Sequence, residues 1–229
     1  MQQLINKNSI KEKSVVIISG GLDSTTLLYD IISQGYDVYA LSFNYNQRHK
    51  KELLYAQKTC KKLGIPHKIV DISNLNELLQ GSSLTSSDIS TPHGKYDEES
   101  MKQTVVPNRN MILLSIAAGY AISLKATKLF YGAHSGDHSV YPDCRPEFIQ
   151  KLKETIAIAD WHKVELLAPY SDMDKGDIVI RGIELKVPYQ DTWSCYEGGD
   201  IPCSKCGACN ERAEAFQKAE IKDPLGENV

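Results

Sequence analysis

With 229 residues, 41% hydrophobic and 24% charged, the chain is long enough for one well-buried core plus a small appendage. A formal net charge of -3 supplies no global attraction to nucleic acid or an anionic membrane, so the expected partners are small molecules. No stretch approaches the roughly 20 apolar residues of a membrane span, and the opening MQQLINKNSIKEK lacks the apolar centre of a signal peptide, so a cytoplasmic protein with no membrane partner is expected.

Residues 14–19 (SVVIIS) form a short β-branched run that ends in Gly20-Gly21, as a buried parallel strand feeding a tight turn does. A helix is predicted over 24–33, a strand over 37–43, a helix over 50–63 closed by Gly64, and a strand over 67–71. Two successive βαβ units imply an α/β fold with a doubly wound, mainly parallel sheet. Residues 81–103 begin with a polar, turn-rich run too long for an idle connection, and are expected to form a mobile flap over a site. The mostly apolar helix predicted over 108–124 is expected to be buried on nearly all sides. A strand over 128–131, a helix over 146–158, a strand over 164–167 and a helix over 174–183 follow. The boundary is placed at 186/187, with residues 1–186 as the main domain and 187–229 as a cysteine-bearing segment.

Ser19-Gly20-Gly21-Leu22-Asp23-Ser24-Thr25 lies between a strand and a helix, where glycines let the backbone approach an anion and unpaired helix N–H groups face it. Ser19, Ser24 and Thr25 add hydroxyl donors to what reads as a site for the phosphates of ATP. Asp23 would repel a phosphate unless Mg²⁺ lies between them, which makes it a candidate metal contact. The lysine of G-x-x-x-x-G-K-[ST] and the G-x-G-x-x-G pattern are both absent. A plain strand-to-helix turn would explain the two glycines but neither the hydroxyls nor the aspartate.

Near the C-terminus, Cys203-x2-Cys206-x2-Cys209 with Cys195 upstream offers four thiolates, the shell of a closed structural Zn²⁺ site. An iron–sulfur cluster is the rival, but the Cys-Pro continuation of ferredoxin-type runs is missing. Acidic Glu197, Asp200, Glu211 and Glu214 surround the knuckle and argue against nucleic acid as its partner.

The SGGLDS loop resembles the signature of the N-type ATP pyrophosphatases, the adenine-nucleotide alpha-hydrolase-like PP-loop superfamily. That resemblance implies cleavage between the α and β phosphates and an adenylated intermediate. Together with NYNQRH (44–49), TVVPNRN (104–110), GDHSVYPDCRPEF (136–148), TWSCY (192–196) and the knuckle, the loop resembles one family over about residues 15–216, the 7-cyano-7-deazaguanine synthases of queuosine biosynthesis. The implied reaction takes 7-carboxy-7-deazaguanine and ammonia to 7-cyano-7-deazaguanine with ATP, through successive adenylations to amide and then nitrile. A homodimer is implied as well, and the absence of room for a glutaminase domain points to free ammonia. In one departure, the first knuckle cysteine is followed by Ser204 where the family pattern has glycine.

On this reading Asp23, Ser24, Arg109 and Lys175 are the catalytic candidates, with Arg109 and Lys175 offsetting phosphate or carboxylate charge. Asp137, Tyr141, Asp143 and Arg145 are the substrate-pocket candidates, since their loop follows a strand at the sheet edge where open α/β folds bind ligands. Either aspartate suits the N–H edge of a guanine-like base, and Arg145 suits a carboxylate. Gln47, Arg48 and His49 are expected near the nucleotide by resemblance, His134 and His138 flank the substrate loop, and Cys144 is expected to be buried rather than nucleophilic. Two other readings stand beside this one. One is a PP-loop tRNA-modifying enzyme, or a relative that couples the adenylated deazapurine to another amine; the other is a nucleotide sensor without turnover.

Overall fold

The structure, a computed structural model, describes residues 11–86, 88–93 and 102–225. Five strands, β1 (Lys13–Ile17), β2 (Asp37–Asn44), β3 (His67–Asp71), β4 (Lys128–Phe130) and β5 (Glu165–Leu167), form a sheet in the order β3-β2-β1-β4-β5. Every pairing is parallel, with Val16 beside Ala40 on one side and Phe130 on the other. The order reverses between β1 and β4, which marks the switch point where such sheets leave a crevice at their carboxyl ends.

Alternation along the strands sends side chains into two separate cores. Val15, Leu41, Leu129 and Leu166 point to one face, where α3 (Arg109–Leu124) and α4 (Pro146–Ile158) pack; Val16, Ala40 and Phe130 point to the other. The second face is covered by α1 (Leu22–Ser33) and α2 (Lys51–Leu63), with α5 (Lys175–Glu184) and α6 (Gly207–Lys218) contributing Ile178, Val179, Ala215 and Phe216 to the same core. Helices on both faces follow from a chain that winds outward from β1 in both directions with crossovers of one hand.

One expectation changes. Helix α3 is buried on one side only: Leu114, Ala117, Ala118 and Ala121 are inside, while Met111, Ser115, Gly119 and Ser123 are exposed. Its serines read as neutral in an apolar run because their hydroxyls bond back to the helix, Ser115 Oγ to Met111 O at 2.8 Å and Ser123 Oγ to Gly119 O at 2.9 Å. Of the flap expected over 81–103, residues 87 and 94–101 lie outside the described residues. The flanking part packs on the body: Ser82, Ser83 and Leu84 are buried, and the Arg48 N–H donates to Leu84 O at 2.7 Å. No helix among the described residues is long and apolar enough to cross a membrane.

Candidate active site

A cavity of ≈ 300 Å³ opens at the carboxyl ends of β1 and β4. The loop that leaves β1 forms its floor. Gly20 has φ +95, and a Cβ there would stand 2.0 Å from the Glu52 carbonyl oxygen, so this glycine supplies both a left-handed turn and room for α2 to press against the loop. Gly21 caps α1, and the Ser19 and Ser24 hydroxyls lie 2.9 Å apart above it. The Ser19 N–H donates to Ser24 Oγ and the Gly21 N–H to Ser19 Oγ, both at 3.1 Å. Helix geometry leaves the N–H groups of Leu22, Asp23 and Ser24 without intrahelical partners, and the dipole of α1 adds partial positive charge. Two hydroxyls and a helix N-terminus on one rim make a site for an anion. Ser19, Gly21, Leu22, Asp23 and Ser24 line the cavity, whereas Gly20 lies behind it and Thr25 is fully buried.

The cations come from two other elements. Asn108 adopts the left-handed conformation (φ 55) immediately before α3 and so turns Arg109 inward, where its guanidinium sits 5.8 Å from the Tyr45 ring centroid. Lys175 occupies the first position of α5, behind a capping box between Asp174 and Asp177. A cation is unfavourable at a helix N-terminus unless anions compensate. Here the Lys175 ammonium donates to Glu211 Oε2 at 2.9 Å and stands 3.7 Å from Asp23 Oδ2. Burial pulls its pKa down, but the carboxylates of Asp23, Glu211 and Asp137 outweigh that and hold it above the ordinary 10.5.

Buried His134 links the loop to the substrate-side candidates, its Nε2 lying 3.9 Å from Asp23 Oδ2 and 3.5 Å from Asp137 Oδ2. Burial raises the Asp137 carboxyl. Tyr141 Oη is 2.6 Å from Thr104 Oγ1, which orients the phenol at the wall. Asp137 and Tyr141 line the cavity; Asp143 and Arg145 do not. Asp143 Oδ2 accepts the Asn110 N–H at 3.0 Å, and the exposed Arg145 donates from Nε to His138 O at 2.8 Å. Cys144 is buried in the wall, and burial pushes its thiol up, which leaves it a poor nucleophile. Gln47, Arg48 and His49 also reach the lining.

Sequence reasoning did not assign Tyr45, Glu52, Asn110 or Glu211 to the cavity. Asn110 and Tyr45 fall inside strings already singled out; nothing local marks Glu52 or Glu211. The segment beyond 187 also contributes to the cavity itself through Trp193, Ser194, Tyr196, Ala208 and Glu211.

The four thiols of Cys195, Cys203, Cys206 and Cys209 lie within 4.8 Å of one another, a group that can hold a metal ion. Two separations are 3.5 Å (Cys206 to Cys209) and 3.9 Å (Cys203 to Cys209), against the ~3.8 Å that a tetrahedral shell of Zn–S bonds near 2.3 Å requires. The Cys203 and Cys206 N–H groups donate to the sulfurs of Cys195 and Cys203, both at 3.3 Å, favouring thiolates. Ser204 takes φ 56, the left-handed conformation that glycine adopts without steric cost, which accounts for the glycine expected there.

Residues 13–220 match the family model described as queuosine biosynthesis protein QueC. A 7-cyano-7-deazaguanine synthase from Caldicellulosiruptor bescii is 60% identical over 213 residues, covering 93% of this chain and 96% of that one. The chain belongs to the 7-cyano-7-deazaguanine synthase family. Synthases from Pseudoalteromonas atlantica and Methanoregula boonei are each 58% identical, over 214 and 213 residues, covering 93% of this chain and 98% of theirs. The family resemblance carried by the strings in 44–49, 104–110, 136–148 and 192–196 is therefore borne out, and the synthase is an enzyme that forms the deazaguanine nitrile. Among solved structures, the synthase fold is similar to a 4-thiouridine synthetase–RNA complex with bound ATP (TM-score 0.52, 16% identity, 95% of this chain and 53% of that one). It is also similar to the U34-tRNA thiolase NcsA of Methanococcus maripaludis with its [4Fe-4S] cluster (TM-score 0.51, 17% identity, 95% and 67%). At those identities the likeness is one of fold, and it agrees with the PP-loop α/β architecture expected from the sequence.

Proposed function

We propose that this synthase makes its nitrile from 7-carboxy-7-deazaguanine, free ammonia and ATP, by adenylating the carboxylate, admitting ammonia, and then adenylating the resulting amide. The observation that carries the reading is the convergence of the Ser19–Ser24 loop, Arg109 and Lys175 on one cavity. A carboxylate resists nucleophiles because its carbon is electron-rich; turning one oxygen into an AMP leaving group removes that resistance. The loop hydroxyls and the α1 N-terminus take the departing pyrophosphate, while Lys175 and Arg109 offset charge at the α-phosphate and the substrate carboxylate. Asp137 and Tyr141 face the same space and suit the polar edge of the heterocycle.

Mg²⁺ fits at Asp23, whose Oδ1 is buried with no hydrogen-bond partner and whose Oδ2 stands 3.7 Å from the Lys175 ammonium. The ion supplies charge neutralisation on the phosphates when bound. For the cysteine group we propose Zn²⁺ in a structural role. Two of the sulfur separations, 3.5 and 3.9 Å, match the ~3.8 Å shell of a single ion, and all four sulfurs lie within 4.8 Å, whereas the four irons of a cubane cluster spread their thiolates further apart. A homodimer is the proposed assembly, checked by light scattering.

The test is mass spectrometry of products from enzyme, ATP, ammonium and 7-carboxy-7-deazaguanine. Nitrile with AMP and pyrophosphate is expected; ADP in place of AMP, or nitrile formed without ATP, overturns the reading.

A further inference from the structure

Four carboxylates line the cavity, and three are engaged. Asp137 faces His134, Glu211 accepts from Lys175, and Asp23 stands between His134 and Lys175. Glu52 differs. It lies in the first turn of α2, anchored by the buried Leu53 beside it and by the close passage of its own carbonyl over Gly20. Glu52 lines the cavity, yet among the described residues no hydrogen bond or ion pair falls on its carboxyl. The charged groups that face it are Arg109 from α3, Asp23 from α1 and Lys175 from α5. A carboxyl held beside the phosphate loop with nothing bound to it is available to a substrate that carries protons.

We infer that Glu52 is the proton acceptor for the nitrogen nucleophile, receiving ammonium and releasing ammonia beside the activated acyl carbon. This rests on the adenylation reading above. Ammonium gives a proton to the Glu52 carboxylate, and the freed lone pair forms the C–N bond. The acyl C–O bond to AMP then breaks, with its electron pair leaving on the phosphate oxygen. A second proton leaves the amide nitrogen after Glu52 has shed the first through the open cavity. In the second round the adenylated amide loses two N–H protons and AMP departs, so that the C–N double bond becomes the triple bond of the nitrile; the same carboxylate takes those protons. Burial pushes Glu52 from 4.5 up to about 8, a range in which proton exchange with an amine nitrogen is nearly balanced.

The test compares Glu52→Gln with the wild type in three assays: pyrophosphate exchange into ATP with the acid present, amide formation from ammonium, and hydroxamate formation from hydroxylamine. Hydroxylamine is already unprotonated at neutral pH and needs no base to begin its attack. The expected result is exchange and hydroxamate formation within about threefold of wild type, with ammonium turnover down about 100-fold or more. Glu52→Asp, which keeps the carboxyl but withdraws it by one methylene, should fall between, and it carries the comparison if Glu52→Gln does not fold. Equal loss in all three assays assigns Glu52 to nucleotide binding or structure and overturns the inference, as does full ammonium turnover in Glu52→Gln. No exchange in the wild type removes the adenylation reading itself, and this inference with it.

Discussion

The backbone N–H of Trp193 donates to the carbonyl of Gly20 at 3.0 Å, so the strand of chain entering the cysteine group is tied directly to the phosphate loop. The same tryptophan donates from Nε1 to Cys195 O at 2.9 Å, stacks on Tyr55 with centroids 6.0 Å apart, and carries the Lys51 ammonium 3.8 Å over its ring. Its own side chain is 1% exposed, so it moves only if both neighbours move.

A metal at the cysteines therefore bears on nucleotide binding as well as on the local fold. Chelation, or Cys206→Ser, should weaken binding of ATP by about tenfold or more, equivalent to ~1.4 kcal/mol. The far-UV signal of the sheet should be retained, because the two main cores contain none of the four cysteines. Equilibrium nucleotide binding on metal-free protein checks this; unchanged affinity would show that Trp193 transmits nothing.

Gly20→Ala meets two obstacles at once, a φ of +95 and a backbone oxygen 2.0 Å from the new Cβ. Neither backbone can yield without parting α2 from the loop. The substitution should cost roughly 2 kcal/mol or more of stability, and nucleotide binding should fall with it. Urea denaturation beside a binding titration tests both effects.

How far the sequence could be read depended on whether a function sat in contiguous residues. The phosphate loop and the cysteine spacing were legible because strand-to-helix anion sites and thiolate shells need particular residues at fixed separations. Helix α1 begins at Leu22, earlier than the predicted Ser24, because Gly21 caps it in an extended conformation, a position glycine accepts but marks less clearly than a serine does. Glu52 was invisible because an acidic residue in a first turn is ordinary dipole compensation, and Glu211 because it reads as one of several exposed acids around the knuckle. Their roles arise only when α2 and α6 are folded against the loop and Lys175. Asp143 and Arg145 show the converse: both lie in a promising string, but the short turn over Pro142–Cys144 directs one to the Asn110 backbone and the other outward.

Ser204→Gly should stabilise the knuckle. Serine at φ 56 carries a steric penalty that glycine lacks, partly offset by glycine's greater freedom in the unfolded chain. The net gain should be about 0.5 kcal/mol, or ~1–2 °C in thermal midpoint for a chain of this size. Metal content should stay the same, since the sulfur positions do not depend on this side chain. Paired thermal melts decide it.

Acid sensitivity should centre in part on Asp30. Burial pushes its carboxyl up, but hydrogen bonds from Arg181, Gln34 and Tyr170 outweigh that and hold it below 3.8. Arg181 Nη2 reaches Oδ1 at 2.8 Å and Tyr170 Oη reaches Oδ2 at 3.1 Å. A depressed folded pKa contributes stability that is fully present above the unfolded value and is lost as pH falls through the folded one. Asp30→Asn should thus lower the urea midpoint at neutral pH, with the gap from wild type closing below about pH 4. A gap independent of pH would assign the loss to packing.

The final expectation concerns how often the phosphate loop is used. Making a nitrile from a carboxylate removes both oxygens from one carbon, and each needs an activated leaving group. The described residues contain one hydroxyl-rich loop at a helix N-terminus facing the cavity, formed by Ser19 to Ser24. Each round must therefore return to that loop, with AMP and pyrophosphate leaving before fresh ATP enters. The primary amide, supplied alone with ATP and no ammonium, should be converted to nitrile with one AMP released per turnover. Starting from the acid, two AMP should appear per nitrile. Glu52→Gln should slow the amide reaction as well, because elimination to the nitrile still has two N–H protons to place. Quantifying AMP against nitrile from each starting compound tests the scheme: failure of the amide to react, or one AMP per nitrile from the acid, would exclude repeated use of the loop.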